Sequence, residues 1–530
     1  GKSKVKRQMI CLMAGAVLAA GIGWPTASFA APKNLEPLDP RGNGGDSTQY
    51  EYYDENGSVI YDDDETLGDA PREFYPDTSW FDYTDPKKEY KISTQEELFG
   101  LASLVNEQQA MWKTNRFETF EGVTFKLDND IDLTQKWVPI GSDDHITFKG
   151  VFDGQGHAIN SLDVDITGNN GGFFGYLSGT VKNLTIRGKV KATGKECGSL
   201  AGYLTPEAKI MRCVNEATVD ANAQTGGIAG ENNGGSIYQC TNKGKVTGSI
   251  KVGGIVGENR GKVSCSCNMA DVKSSQRGTT TYGTGGVAGR SVTSNAKIDR
   301  CYNKGAITSK TEGTGGIVGY TNTEGSRITS CYNTGSISVK NPKAIEGIGA
   351  AKGFAGGIAG IVGVKGVTIR NCYCTGDVLN SDVTGGIIGK YDNVSKRRED
   401  PFIVNNYFTN QNTKYGIGYD SVGKSRNITK GTTITSTASL ISGASNLGPY
   451  YMNDTSGSYG NSSLPVLSWQ KPVPEDEMVY LSGVPVEVQQ ELNEFVTAYN
   501  KEAKAGDSVM MFFNHYEFTS TAVGEYNNAK

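Results

Sequence analysis

The chain is poor in the side chain that most acid–base catalysis uses. It has three histidines in 530 residues, and histidine is the residue whose ordinary pKa lies nearest to neutral pH. It contains no H-E-x-x-H zinc-protease motif and no G-x-S-x-G nucleophile motif. Its basic residues do not cluster, because KRR at 396–398 is followed directly by two acids. These absences predict a noncatalytic protein that does not bind nucleic acid.

What the chain has in excess is a glycine phrase. The form G-G-x-x-G, with one serine variant, starts at 171, 198, 226, 253, 285, 315, 356 and 385, which gives spacings of 27 to 41 residues. A near-constant period with variable insertions is typical of a solenoid. Between the phrases, isolated Val and Ile flanked by turn residues predict short strands. A unit of about 27 residues with several strands suits one coil of a parallel β-helix, so the predicted fold class is all-β.

Stacked coils place equivalent residues in columns, and the glycines form one of them. We expect them either to adopt positive φ or to let two backbones approach where a side chain would clash. The glycines assigned to this structural role are Gly227, Gly230, Gly254, Gly257, Gly286, Gly289, Gly316 and Gly319. Ser199 replaces the second glycine of the second phrase, so the second coil departs most from the pattern.

A second phrase inside each unit places cysteine and asparagine at fixed positions. The cysteines are Cys213, Cys240, Cys301, Cys331 and Cys372, and the asparagines are Asn215, Asn242, Asn268, Asn303 and Asn333. We expect each asparagine to sit at a left-handed bend with its amide bonded to neighbouring coils. We expect the cysteines to form a buried column of free thiols, because in-register Cβ atoms about 5 Å apart exceed the usual disulfide spacing. Zinc ligation by a C-x-C pair is the alternative.

These residues resemble a known family. The phrases at 227–230, 254–257 and 316–319 are similar to the GLUG repeat of secreted bacterial surface proteins, with Ile or Val in place of leucine. The segments from Tyr90, Trp137 and Phe148, and the closing NSSLPVLSWQ from Asn461, resemble the usual entry and exit of such repeats. The resemblance implies a right-handed parallel β-helix, often in an adhesin-like protein and sometimes in an accessory region of an IgA-specific metallopeptidase. It carries no catalytic residue.

The first 30 residues have the layout of a cleaved secretion signal. Four basic residues precede an apolar run from Met9 to Ile22, and small residues place the cut after Ala30. An uncleaved anchor is the alternative, but the run is shorter than the ~20 residues that span a bilayer. Cleavage removes four positive charges and changes the formal charge from −5 to −9. We therefore expect an acidic protein that is secreted or displayed on the cell surface, with no membrane span after cleavage.

The chain is predicted to divide into several regions. Residues 31–89 form an acidic, aromatic-rich leader, either disordered or a binding arm, and residues 90–170 form the N-terminal cap and first coils. A short helix near Leu98, preceded by capping boxes at Ser93 and Thr94, is expected to cover the open end of the solenoid. Residues 171–425 form the repeats and 426–470 the end of the solenoid. Residues 471–530 read as the α/β start of a further module, in a chain we expect to continue beyond Lys530.

Carboxylates are the remaining candidates for chemistry. In KLDNDIDLT, Asp128, Asp130 and Asp132 alternate with apolar residues and are expected on one strand face. Oxygen ligands of this kind suit extracellular calcium. The alternative is an acidic outward face, because no glycine-bracketed ligand loop surrounds them. No other cofactor and no other metal is predicted.

Three functions remain open from the sequence. The first is a noncatalytic β-helix that binds extracellular glycans or host proteins through a long lateral face, where repeated weak contacts give avidity. The second is a polysaccharide-cleaving enzyme or an accessory region of an extracellular peptidase, which would need a carboxylate constellation in one groove. The third is a spacer for a missing C-terminal module. The sequence does not indicate an oligomeric state.

Overall fold

The computed structural model describes residues 52–53, 59–60, 74–112, 118–275, 282–310, 312–339, 353–392, 400–409, 412–420, 427–428 and 431–472. Within them the predicted fold is confirmed, a right-handed parallel β-helix. Strands of successive coils pair in parallel and in register, as in Ile210 with Ile237 and Ile237 with Val263. Each coil is therefore hydrogen-bonded to the coils before and after it. The predicted leader, signal and C-terminal module lie largely or wholly outside the described residues.

Four parallel sheets run along the solenoid, and the first has eleven strands. They are Glu89–Ile92, Thr124–Leu127, Val151–Asp153, Thr180–Lys182, Lys209–Met211, Ser236–Tyr238, Lys262–Ser264, Lys297–Asp299, Arg327–Thr329, Thr368–Arg370 and Ile403–Val404. The central residue of most of these strands is an inward Ile, Val or Phe with no exposed surface. Burying each such side chain contributes about 1.5–3 kcal/mol, so this sheet forms one wall of the core.

The second sheet begins with single strands and continues as pairs of short strands. The single strands are Ile131–Asp132, Ala158–Ile166 and Thr185–Ala192; the pairs are Val214–Asn215 with Thr218–Asp220, Thr241–Asn242 with Val246–Gly248, Cys267–Asn268 with Val272–Ser274, Tyr302–Asn303 with Ile307–Ser309, Tyr332–Asn333 with Ile337–Val339, and Tyr373–Cys374 with Val378–Leu379; Asn406–Phe408 and Thr432–Ile434 end it. The asparagines of the column are the last residues of the first strands in these pairs, directly before the break between the two strands.

The other two sheets flank the glycine phrase. The nine-stranded sheet contains Phe174–Leu177, Ala201–Leu204, Ala229–Asn232, Val256–Asn259, Ala288–Ser291, Val318–Thr321, Ala359–Val362, Ile388–Tyr391 and Ile417–Asp420. The six-stranded sheet contains Thr225–Gly226, Val252–Gly253, Gly283–Gly285, Gly313–Gly315, Phe354–Gly356 and Val383–Gly385. Short two-stranded antiparallel pairs occur at Tyr52–Tyr53 with Val59–Ile60 and at Tyr451–Met452 with Val466–Leu467.

The glycines of the phrase act through close approach. None of the eight predicted structural glycines has a positive φ. A Cβ at Gly286 would overlap the carbonyl oxygen of Gly316 and the side chain of Asn303, so a larger residue cannot fit between the coils. Of the two predicted roles, close backbone approach is therefore the one that applies. The second coil accommodates Ser199, whose hydroxyl donates to the carbonyl of Gly227 at 2.6 Å.

The predicted bonds between stacked asparagines are confirmed, whereas their predicted backbone conformation is not. The side-chain amide of Asn215 donates to Asn242, and the chain of bonds continues through Asn268 and Asn303 to Asn333, each at 2.8 Å. The expected left-handed conformation is wrong for these asparagines. The left-handed residues occupy the position just before the cysteine column: Asn183, Arg212, Gln239, Cys265, Arg300, Ser330, Asn371 and Asn405. The strand pairing keeps the asparagines extended, so the turn is made three residues earlier.

A helix, α1 (Gln95–Trp112), lies at the N-terminal end as predicted. The Thr94 hydroxyl accepts from the backbone N–H of Glu97 at 3.2 Å, which caps the helix start. Leu98 and Leu101 are buried in the core cluster of the first coils. The Asn106 side chain bonds the backbone of residues 139 and 141, beside the residue that bridges to the first strand of the nine-stranded sheet. The helix therefore covers that edge.

The C-terminal part of the described chain folds back along the side of the solenoid. This strap, residues 437–470, contains α2 (Thr437–Ile441), the 3-10 helices Ala444–Leu447 and Ser468–Gln470, and the hairpin named above. It covers a ladder of stacked rings formed by Tyr302, Tyr332 and Tyr373, with centroids 4.8 and 5.0 Å apart. Trp469 stacks on Tyr302 at 5.8 Å and donates its indole N–H to the carbonyl of Arg300 at 2.9 Å. The strap thus braces several coils at once.

Candidate functional site

One residue in each coil leaves the core and points outward from the nine-stranded sheet. Strand register aligns these residues in an outer column: Tyr176, Tyr203, Glu231, Glu258, Arg290, Tyr320, Ile361, Lys390 and Tyr419. The inward neighbours on the same strands belong to the core cluster, whereas the column residues do not. Neighbouring members are spaced by the strand separation of about 4.8 Å. The column is therefore a line of mostly aromatic and charged groups outside the core, in which Tyr176, Tyr203, Arg290, Lys390 and Tyr419 are partly or fully exposed and the other members are buried.

Aromatic rings form the N-terminal end of the outer column. Tyr176 and Tyr203 stack with their centroids 4.7 Å apart and their planes 13° apart. Burial raises the pKa of the Tyr176 hydroxyl to about 12, so both hydroxyls remain protonated at neutral pH. They can therefore donate hydrogen bonds to a ligand as well as accept them.

Charged side chains form the centre of the outer column. This ionic centre consists of Glu231, Glu258, Lys251, Arg260 and Arg290. Glu258 accepts from Lys251 at 2.8 Å and from Arg260 at 2.7 Å, and a nitrogen of Arg290 lies 3.8 Å from it. Arg260 reaches across to Glu231 at 3.5 Å. One guanidinium thus lies between carboxylates of two adjacent coils.

The two carboxyls of the ionic centre differ in protonation. Burial raises the pKa of Glu231 to about 7, and the neighbouring charge of Glu258 adds to the effect. Burial would also raise the pKa of Glu258, but the hydrogen bond and charge of Lys251, with Arg290 and Arg260, hold it below its usual value. Gln224 donates to the other oxygen of Glu231 at 2.6 Å. Near neutral pH the centre therefore holds one firmly ionised carboxylate and one that is close to half protonated.

Apolar and aromatic side chains form the C-terminal end of the outer column. Tyr320, Ile361 and Phe354 make a cluster separate from the core, and Lys390 lies over the ring of Phe354 at 5.3 Å. Tyr419 remains 45 % exposed. Tyr320, Ile361 and Phe354 are buried, so Tyr419 is the ring that this end of the outer column offers to a ligand.

The position of the outer column has a signal in the sequence, next to the residues that recur. In the first eight coils of the column the residue follows the glycine phrase directly, as Glu231 follows GGIAG at 226 and Arg290 follows GGVAG at 285. The residues that recur build the coil. Variable residues at a fixed phase mark the surface that differs from coil to coil.

The predicted aspartates lie on a different part of the molecule, at the first coils. The strand covers Ile131–Asp132 alone, so Asp128 and Asp130 lie in the preceding turn and the expected single strand face is wrong. Asp130 accepts from the backbone N–H of Ala158 at 2.9 Å and lies 3.3 Å from His157. Asp132 accepts from Asn160 at 2.8 Å. These oxygens bind protein donors, and the described residues contain no group of three or more His, Cys, Asp or Glu placed to hold a metal ion.

The five predicted cysteines are buried and free. Each thiol donates to the carbonyl two residues earlier in its own coil and approaches a carbonyl of the preceding coil, as Cys301 does to Asp299 at 3.3 Å and Val263 at 3.5 Å. Ser266 takes the same position in one coil and bonds in the same way, at 2.8 Å to Ser264. Burial raises the pKa of the Cys301 thiol well above its usual value. The column therefore satisfies backbone carbonyls at the bend.

A phosphate-loop pattern also occurs in the sequence, GYDSVGKS at 418–425. A phosphate loop connects a strand to a helix whose N-terminus faces the phosphates. Here Gly418 lies inside the strand Ile417–Asp420, and the next described element is the strand Thr432–Ile434. Residues 421–426 lie outside the described residues. The first glycine of the pattern therefore lies within a strand and not in the loop that follows one.

Comparison with known proteins confirms the resemblance to the GLUG repeat. A family model for the GLUG motif matches residues 221–247, which include the third glycine phrase and Cys240. Halomucin of Haloquadratum walsbyi is 34% identical over 96 residues, which is 18% of this chain and 1% of that protein. A crystal structure of a Bacteroides ovatus protein, provisionally assigned as an immunoglobulin A1 protease, has a TM-score of 0.38 and 18% identity, covering 72% of this chain and 93% of the other. No described helix is long and apolar enough to cross a membrane.

Proposed function

We propose that this protein is a noncatalytic secreted or cell-surface β-helix that binds extracellular glycans or host proteins through the outer column. The observation that carries the proposal is the register of that column, which places aromatic and charged side chains in one line outside the core. The rigid coils fix these side chains before a ligand arrives, so little conformational entropy is lost on binding. The apolar run at residues 9–22 supports export.

The length of the column supports binding to an extended ligand. Eight coil-to-coil steps separate Tyr176 from Tyr419, and at about 4.8 Å each they span about 38 Å. A compact small molecule would use a fraction of this surface, whereas a polysaccharide or an extended protein segment could contact many coils. Weak contacts repeated along such a surface add up to a useful affinity.

A binding screen of the purified chain against glycan and mucosal-protein arrays tests the proposal. The matched pair of variants is Tyr203→Ala, which shortens the outer column, and Tyr407→Ala, which removes a half-buried ring from the second sheet instead. We expect binding that Tyr203→Ala weakens and Tyr407→Ala does not. Absence of binding to every arrayed glycan and protein would contradict the proposal.

One observation favours a second function, polysaccharide cleavage. The ionic centre places Glu231, whose pKa is raised, and Glu258, whose pKa is lowered, on adjacent coils, and enzymes use such differences to assign an acid and a base. Glu258 has no exposed surface, so Glu231 is the carboxyl that a substrate would have to reach. Release of reducing ends from acidic polysaccharides, lost in Glu231→Gln, would support it. Binding without any cleavage would support the noncatalytic function.

A further inference from the structure

The ionic centre has an excess of positive charge on an acidic protein. Lys251, Arg260 and Arg290 carry three positive charges against one on Glu258, and Glu231 adds a second negative charge only as it ionises. The local sum is therefore +1 to +2, whereas the formal charge of the whole chain is −5. A local field of this sign attracts anions.

Arg290 retains hydrogen-bonding capacity that the described residues do not use. Its Nη1 lies 3.8 Å from Glu258, which is too long for a hydrogen bond. Its Nε has no hydrogen-bond partner among the described residues but is itself buried, so the two Nη atoms are the donors that a ligand can approach. The guanidinium lies 5.6 Å from the ring centroid of Tyr320, and the side chain keeps 20% of its surface exposed. A planar guanidinium with free donors suits a carboxylate or a sulfate.

We infer that the ionic centre binds the acidic group of an anionic glycan, a uronate carboxylate or a sulfate ester, with Arg290 and Arg260 as donors. Tyr203 is partly exposed in the column on the N-terminal side and contacts the adjacent sugar. Three coil-to-coil steps of about 4.8 Å separate Tyr203 from Arg290 and span about 14 Å, enough for several sugar residues. This inference rests on the proposed binding function and names its ligand class.

Titration of the purified full chain with three oligosaccharides tests the ligand class. Hyaluronan carries carboxylates, chondroitin sulfate carries carboxylates and sulfates, and chitin oligosaccharides carry no charge. We expect both anionic ligands to bind at least tenfold more tightly than the uncharged one, with affinity falling as salt is added. Equal affinity for charged and uncharged ligands would overturn the inference but leave the binding function standing. Absence of binding to all glycans would overturn the inference, and binding to arrayed proteins would then decide the wider proposal.

Variants locate the site. Arg290→Met removes the guanidinium, and Arg290→Lys keeps the charge but loses the planar donor pair. The control is Lys189→Met, which removes an exposed cation from the second sheet. We expect a loss of at least tenfold for Arg290→Met, a smaller loss for Arg290→Lys and no change for Lys189→Met, with circular dichroism showing that all fold. Unchanged anion affinity in a folded Arg290→Met protein would refute the site.

The pH dependence provides an independent readout. Glu231 is surrounded by the charged or titratable groups Glu258, Glu196, Arg260, Lys251 and Tyr203. As Glu231 ionises, it adds negative charge beside the arginines, so anion affinity should fall from about pH 6 to about pH 8. Glu231→Gln should abolish most of this fall. A fall of equal size in both proteins would assign the pH dependence elsewhere and count against anion binding at this centre.

Discussion

Replacing Asn303 by alanine tests the idea that the asparagine column stabilises the solenoid. Its side chain makes four buried hydrogen bonds: it accepts from Asn268 at 2.8 Å and from Gly305 at 3.2 Å, and it donates to Gly305 at 2.9 Å and to Asn333 at 2.8 Å. At about 1 kcal/mol net for each bond, the expected loss in unfolding free energy is about 4 kcal/mol. The loss is large because the backbone groups of Gly305 stay buried without a partner.

Asn215, at the N-terminal end of the asparagine column, allows the loss of stability to be compared with the number of hydrogen bonds removed. Asn215 makes three such bonds, because no asparagine precedes it. Asn215→Ala should therefore cost about 3 kcal/mol, about 1 kcal/mol less than Asn303→Ala. Asn380 is exposed, makes a single bond of 3.4 Å to Ser338 and has a φ of 57°, so Asn380→Ala should cost about 1 kcal/mol, because alanine is strained in the left-handed region.

Urea unfolding followed by far-ultraviolet circular dichroism measures these differences. Because each coil of a solenoid contacts its neighbours alone, Asn303→Ala could separate the transition of the C-terminal coils from that of the rest. Hydrogen exchange at the backbone amides of residues 300–340 then reports the local loss. If Asn303→Ala lowered the unfolding free energy by less than about 1 kcal/mol, no more than Asn380→Ala does, the proposed stabilising role of the asparagine column would be refuted.

Four other substitutions have defined outcomes. Gly286→Ala should destabilise by more than about 3 kcal/mol, because its Cβ would overlap the next coil, whereas Gly168→Ala, with open space around it, should be neutral in the same urea titration. Cys301→Ser should cost less than about 1 kcal/mol, as its hydroxyl can repeat the bonds of Ser266, and a thiol reagent should label the wild-type column only after unfolding. Trp469→Ala should release the strap, seen as faster proteolysis within residues 437–470. The pKa of Glu231 is about 7 in the folded protein against an ordinary value of 4.5, so folding favours its protonated form. Its contribution to the free energy of unfolding is therefore complete below pH 4.5 and is lost as the pH rises toward 7. Glu231→Gln should flatten that part of the profile of stability against pH.

The parts of the fold that were predicted correctly are those that repeat. The phrases containing Gly254 and Gly286 predicted the coils and the close approach of their backbones. The phrase containing Cys301 and Asn303 predicted which side chains would stack and become buried. Repetition makes such predictions reliable, since each coil has the same local environment as its neighbours.

The parts that were missed or wrong depend on single positions. The left-handed bend falls at Arg300 and not at Asn303, because strand pairing on both sides of the asparagine keeps it extended. The turn at Asp128 interrupts an alternation that predicted one strand. The domain boundaries, the secretion signal and the calcium interpretation remain predictions.

The sequence by itself determined the coil, because period, inward Ile and Val, and glycine spacing are local properties that every winding repeats. Only the tertiary structure decided which variable residues meet. Glu231, Glu258 and Arg290 are separated by 27 and 32 residues along the chain, and stacking brings them into one charged centre. In the same way, the strap places Trp469 against Tyr302. Such contacts depend on three-dimensional stacking and on a segment that folds back, neither of which a linear period specifies.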